Sequence, residues 1–130
     1  MTRFVLLACF AALALVLSAA TAVFAESPAI TQVVSIDTNG QTDLLLEHAG
    51  SNAKIFERLG INAERSYVQA TLAGPNSGTV AVVINYPSLA ELASAQEKLR
   101  SDPEWQKYLD KITKSGMTIL SNSIWQDITP

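Results

Sequence analysis

Cysteine is almost missing from this chain. Cys9 is the single one in 130 residues, and it falls inside the apolar N-terminal run. From Glu26 onward there is no thiol, so disulfide frameworks and thiolate chemistry are both excluded. Histidine is as scarce: His48 is the only imidazole, which excludes histidine-rich metal sites. Charge is sparse too, at 16% of residues, where an average soluble chain carries about 25%. Arg3 is the only charged residue before Glu26. Residues 26–130 therefore hold 8 Lys+Arg against 12 Asp+Glu, a net charge of −4. That sign gives no electrostatic reason to bind nucleic acid or anionic lipid. A chain of 13.9 kDa has room for one domain.

The uncharged run from Phe4 to Phe24 has the layout of a secretory signal. Arg3 supplies the positive start, Phe4 to Leu17 the apolar stretch, and Ser18 to Ala25 a tail of small residues. Val23-Phe24-Ala25 fits the small-x-small cleavage rule, and Ala20-Thr21-Ala22 fits it as well. A membrane anchor of similar length would lack that tail and would be followed by more charge. Leu6-Leu7-Ala8-Cys9 has the look of a lipoprotein box, but most of the apolar run lies behind it. The expectation is a signal peptide over residues 1–25, a single domain over 26–130, and an exported protein, periplasmic or secreted, with no membrane contact after cleavage.

The rest of the chain alternates between strand and helix signals. Ile30 to Ile36 is β-rich and ends in the turn cluster Asp37-Thr38-Asn39-Gly40. Thr42 is the expected N-cap of a helix carrying Leu45, Ala49, Phe56 and Leu59 at helical spacing. Gly50-Ser51-Asn52 weakens its middle and Gly60 ends it. Arg65 to Ala73 alternates as a second strand, and Gly74-Pro75-Asn76-Ser77-Gly78 is a hairpin loop. Thr79 to Tyr86 is the strongest strand. Ser88 and Glu91 form a capping box before the next helix. Asp102-Pro103 opens another helix that stops at Gly116. Met117 to Ile128 is the last strand. The order is β-α-β-β-α-β with the second helix in two pieces. This α+β, ferredoxin-like pattern predicts a four-stranded antiparallel sheet with the helices on one face.

A sheet covered on one face normally shows charge on the other. Here Ile30–Ile36, Ser66–Ala73, Thr79–Tyr86 and Met117–Gln126 contain no Asp, Glu, Lys or Arg. Alternation places Val68, Ala70 and Leu72 with Val80, Val82 and Ile84 on one face. Tyr67, Gln69 and Thr71 then join Thr79, Ala81, Val83 and Asn85 on the other. A face so free of charge is expected to be covered by a second sheet, in a homodimer of twofold symmetry.

The stretch GPNSGTVAVVINYPSLAELASAQEKLRSDPEWQKY, Gly74 to Tyr108, carries a resemblance. A strand ending in Tyr86-Pro87-Ser88-Leu89, an Ala-rich helix, then Asp102-Pro103-Glu104-Trp105 resembles the dimeric α/β barrel superfamily. Within it, the chain is similar to small antibiotic-biosynthesis-monooxygenase and NIPSNAP-like proteins. The resemblance implies a dimer. It leaves the activity open, because the superfamily includes cofactor-free monooxygenases, haem-degrading enzymes, isomerases and proteins without known activity. Haem-degrading members place a His on the second helix and an Asn on the first strand. This chain has neither, so haem is not expected.

No sequence motif names a reaction. There is no metal-ligand spacing, and the Gly74–Gly78 loop does not run from a strand into a helix, so it is no phosphate loop. No metal and no cofactor are expected. His48 lies beside the apolar stripe of the first helix, as a packed or surface residue or, alternatively, as a proton shuttle or haem ligand. Arg65, Tyr67 and Tyr86 supply polar handles near the sheet. Trp105 either anchors its helix or lines a pocket. Together these five are the candidate lining of a sheet–helix pocket for a small molecule. The leading expectation is a non-catalytic binding or interaction module. The alternative is a cofactor-independent, monooxygenase-like enzyme acting on a small aromatic or quinone-like molecule.

Overall fold

The computed structural model describes residues 29–71 and 74–130. The expected signal peptide, residues 1–25, lies outside the described residues. No helix among those described is long and apolar enough to cross a membrane. The elements are β1 (Ile30–Asp37), α1 (Thr42–Arg58), β2 (Glu64–Gln69), β3 (Thr79–Tyr86), α2 (Leu89–Arg100), α3 (Pro103–Lys114) and β4 (Thr118–Gln126). A single 3₁₀ turn, Gly74–Asn76, sits in the β2–β3 connection.

The strands form one antiparallel sheet in the order β2-β3-β1-β4. Each β-α-β half thus starts at the centre of the sheet and ends at an edge, with β1 and β3 as central neighbours. This is the ferredoxin-like arrangement. Ile30, Ile36, Val80, Val82, Ile84 and Tyr86 of the central strands are buried against Leu45, Ile55 and Phe56 of α1, Leu92, Ala95 and Leu99 of α2, and Tyr108 and Ile112 of α3.

The helix ends follow local chemistry. The Glu91 amide donates to Ser88 Oγ at 3.2 Å, which caps α2. The Trp105 amide donates to Asp102 Oδ2 at 2.9 Å, with Pro103 in the first turn of α3. At α1 the cap is Gln41 rather than Thr42, and no side chain caps it. Gly50 does not break α1, which runs on through Arg58. Tertiary packing of Leu45, Ile55 and Phe56 outweighs the roughly 1 kcal/mol helix penalty of one glycine. Gly60 terminates the helix at φ 66°, a conformation that favours glycine.

Strand β2 departs from the expected pattern. It starts at Glu64 and ends at Gln69; Leu72 and Ala73 lie outside the described residues. Its register pairs Arg65 with Ile84, Tyr67 with Val82 and Gln69 with Val80. Directly paired residues share a face, so Arg65, Tyr67 and Gln69 point to the helix side. Val68, opposite Ala81, points away and is 51% exposed. This is the reverse of the expected assignment. On an edge strand, the long amphipathic side chains of Arg65 and Tyr67 cover the flank of the helix layer, and Arg65 Nη1 and Tyr67 Oη are themselves buried there without a hydrogen-bond partner.

The open face is thus built from Thr31, Val33 and Ser35, from Thr79, Ala81, Val83 and Asn85, and from Ser66, Val68, Ser121, Ser123 and Trp125. Asp37 and Glu64 stand at its rims. A β-bulge interrupts the β1–β4 ladder: Ser35 pairs with Ser121 and Ile36 with Ile119, leaving Leu120 without a partner.

Candidate functional site

The helix layer does not seal the sheet completely. Between them is a pocket of about 390 Å³. Gln32, Val34 and Ile36 of β1 and Val82, Ile84 and Tyr86 of β3 form its floor. Asn52 and Phe56 of α1 and Trp105, Tyr108, Leu109 and Ile112 of α3 form its roof. Gln96, Leu99 and Arg100 of α2, with Gln106, stand at one side, and Ile119 and Asn122 of β4 at the other. Space of this size suits a small organic molecule.

Aromatic rings give the pocket its shape. The Trp105 and Tyr108 rings stack with centroids 5.1 Å apart and planes 20° from parallel. Phe56 meets Trp105 at 6.1 Å with a 60° tilt. These are favourable offset and tilted geometries. The roof is thus a cluster of three mutually packed rings.

Neutral amides give the pocket its polarity. Tyr86 Oη donates to Gln32 Oε1 at 3.3 Å, and Gln32 Nε2 donates to Asn122 Oδ1 at 2.9 Å. Gln32 is only 7% exposed, so this chain of hydrogen bonds satisfies a polar group that would otherwise be costly to bury. Asn52, 5% exposed, is less well served: its Oδ1 is buried and unpartnered. Among the described residues, Arg100 is the one charged side chain lining the pocket. Burial pushes the phenols of Tyr86 and Tyr108 above their ordinary range. Both stay protonated and offer hydrogen-bond donors at neutral pH.

A brace holds the roof in place. Arg58 Nη2, at the end of α1, reaches Asp102 Oδ1 at 2.9 Å and Oδ2 at 2.8 Å, and Glu104 Oε2 at 3.1 Å. The same Asp102 carboxylate caps α3 one turn before the pocket residue Trp105. The hydrogen bond from Arg58 holds the Asp102 carboxyl below the usual carboxylate range.

The five residues singled out from the sequence are distributed over three places. Tyr86 and Trp105 line the pocket. Arg65 lies outside the lining, its guanidinium over the Phe56 ring at 4.2 Å to the centroid, a cation–π contact. Burial lowers the pKa of Arg65. Tyr67 is half-buried beside it, packed against the core, with its Oη unpartnered. His48 sits in a separate groove between α1 and α3. Sequence reasoning did not single out Gln32, Asn52, Asn122, Phe56 or Tyr108 as site residues. Asn52 carried a signal: it stands seven residues after Leu45 and four before Phe56, on the apolar stripe, where a polar residue calls for a reason. Gln32 carried one too, in an otherwise apolar inward series with Ile30, Val34 and Ile36.

Comparison with solved structures matches this architecture. A NIPSNAP family protein from Agrobacterium tumefaciens superposes with a TM-score of 0.58 at 17% identity, over 80% of this chain and 88% of that one. The chain has the fold of NIPSNAP family proteins. A second NIPSNAP family protein from the same organism, described as having unknown function, gives a TM-score of 0.51 at 16% identity, over 79% of this chain and 93% of that one. No protein-family profile matches the chain, and no curated protein does. At these identities the NIPSNAP likeness concerns the fold.

Proposed function

We propose that this protein is an exported homodimer that binds a small, flat molecule without transforming it. The observation that carries the reading is the pocket of about 390 Å³ walled by Phe56, Tyr86, Trp105 and Tyr108 and edged with neutral amides. Flat rings gain area and stacking energy against such walls. Gln32, Asn52 and Asn122 supply orientation through hydrogen bonds. Among the described residues no imidazole or carboxylate lines the pocket, and its phenols hold their protons. The lining therefore favours binding over the enzymatic alternative, in which a monooxygenase-like reaction needs a group to take a proton from the substrate.

The dimer reading rests on the open face of the sheet. Its interior is free of charge, Val68, Leu120 and Trp125 are more than half exposed, and a hollow of about 440 Å³ lies among Ser35, Val68, Ala81 and Leu120. A standard interface of about 800 Å² per partner would hide most of it. Export rests on the layout of residues 1–25.

Protein recovered from its native compartment, denatured and examined by mass spectrometry, is expected to release a small molecule of low charge. Rebinding is expected to quench Trp105 fluorescence in a Trp125→Phe background, where Trp105 is the remaining tryptophan. Gln32→Leu should weaken that rebinding. Chemical conversion of the released molecule by the purified protein would overturn the non-catalytic reading. Quenching unaffected by changes at Gln32 and Tyr86 would overturn the site.

A further inference from the structure

The groove between α1 and α3 shares only Tyr108 with the aromatic pocket and has a different chemistry. It encloses about 340 Å³. Arg58 and Glu104 close one end, and Arg58 is already committed to Asp102 and Glu104. Beyond them Lys54 of α1 and Lys107 and Lys111 of α3 line the same space, with the Ser51 hydroxyl and an apolar floor of Ile55 and Tyr108. None of the three lysines has an ion-pair partner among the described residues; both ion pairs there belong to Arg58. Among the described residues, Glu104 is the one carboxylate lining the groove, and Arg58 holds it.

This is an odd place to collect ammonium groups. The chain as a whole is acidic, at net −3, so the cluster does not follow from a basic composition. Acidic residues are available on the same helices, at Glu47, Glu57 and Asp110, yet none of these three lines the groove. Like charges gathered along one helix seam repel, and opposite charges are the usual arrangement there. An anion seated among the lysines removes that repulsion.

We propose that the α1–α3 groove is a binding site for a small organic phosphate, with the phosphate among Lys54, Lys107, Lys111 and Ser51 and the organic part on Ile55 and Tyr108. Lysines suit a tetrahedral, multiply charged anion as flexible point charges, whereas a planar carboxylate is better matched by the fork of an arginine. The one arginine lining the groove is occupied. This site is independent of the flat-ligand pocket and stands or falls separately from it.

The test is a titration of the protein with phenyl phosphate at constant low ionic strength, followed by amide chemical shifts. Saturable shifts are expected at Ser51, Lys54, Lys107, Tyr108 and Lys111. Lys107→Glu is expected to weaken binding about tenfold or more, the loss of one charge-assisted contact. Lys98→Glu, on the exposed side of α2, is expected to leave it unchanged. Lys107→Gln, which adds no repulsive charge, should show an intermediate loss and guards against misfolding of the Glu variant. Phenol at equal concentration is expected to leave the groove signals in place. Shifts that never saturate, that spread equally over Lys98, Arg100 and Lys114, or that phenol reproduces would overturn the proposal. So would equal affinity in the Lys107 variants. Inorganic phosphate is expected to bind the same residues more weakly, since it lacks the group that covers Ile55 and Tyr108; tighter binding of the free ion would overturn the organic-phosphate assignment.

Discussion

The central strands β1 and β3 carry no charge on either face between Ile30 and Ile36 or between Thr79 and Tyr86, and the two faces use that deficiency differently. On the helix side, Val80, Val82 and Ile84 are nearly sealed from water. Their apolar character is fully spent in the core. On the open side, Thr31, Val33, Ser35, Thr79, Ala81 and Val83 are only half-buried. Their side chains are small, and hydroxyls are interleaved with methyl groups. Thr31 Oγ1 donates to Asn85 Oδ1 at 2.8 Å along this face. The helix side looks like a folding core and the open side like a contact surface kept soluble by short polar groups. An uncharged face is thus ambiguous by itself, and side-chain size and hydroxyl content separate the two cases.

Four substitutions probe that contrast. The largest effect is expected from Ile84→Ala, which opens a cavity on the helix side and should cost about 2–5 kcal/mol in urea denaturation. It should leave the oligomeric state of the folded protein alone. Its neighbour on the same strand should behave in reverse. Val83→Lys is expected to leave the subunit fold intact while weakening self-association by about 2–3 kcal/mol, because twofold symmetry brings two new ammonium groups together. Light scattering at micromolar concentration reads this, with Glu97→Lys on α2 as the silent control. A monomeric parent protein, or a Val83→Lys protein that stays dimeric, would remove the distinction between the faces.

A smaller, pH-gated effect is expected at the brace. The folded-state pKa of Asp102 is depressed by Arg58. Its ionised form therefore adds stability above the unfolded carboxylate value, about 3.9. That contribution is lost as pH falls through the lower folded value. Asp102→Asn keeps a capping side chain but loses the charge. It should be less stable than the parent at neutral pH, and the gap should close in acid. A constant gap down to strongly acidic pH would show that the ion pair is not its source. The smallest effect is expected from Asn52→Leu. Removing a buried, unpartnered carbonyl offsets the loss of amide contacts, so stability should change by less than about 1 kcal/mol, in either direction. Ligand quenching at Trp105 should nonetheless weaken.

Much of the fold was legible because its signals are local. Ser88 with Glu91, and Asp102 with Pro103, mark helix starts through bonds made within one turn. The element order then leaves few ways to pair four strands. The face assignment of β2 was not legible. Tyr67-Val68-Gln69-Ala70 alternates plausibly in either register, and only the pairing with β3 decides which side Tyr67 takes. The pocket was less legible still. Phe56, Leu92, Leu99, Trp105 and Ile112 read as residues that fill a core. That they leave about 390 Å³ open depends on how α2 and α3 settle over the sheet. Tyr86 and Trp105 were visible as aromatics on elements near the sheet. Gln32 and Asn52 stood out only as amides in apolar series; that marks them as buried polar groups but does not tell whether they face a pocket or a packed core.

The bulge at Leu120 bears on how this molecule meets copies of itself. Strand β4 is an outer strand, and a regular outer strand presents free amides and carbonyls as a template on which identical chains can stack into fibres. One unpaired residue between Ile119 and Ser121 breaks that template and adds local twist. Deleting Leu120 would bring Ile119 and Ser121 into adjacent pairing without reversing either side chain, so the subunit itself would tolerate the loss. What the shortened chain would forfeit is colloidal lifetime, with aggregation growing edge to edge in a protein whose native association is expected to run face to face.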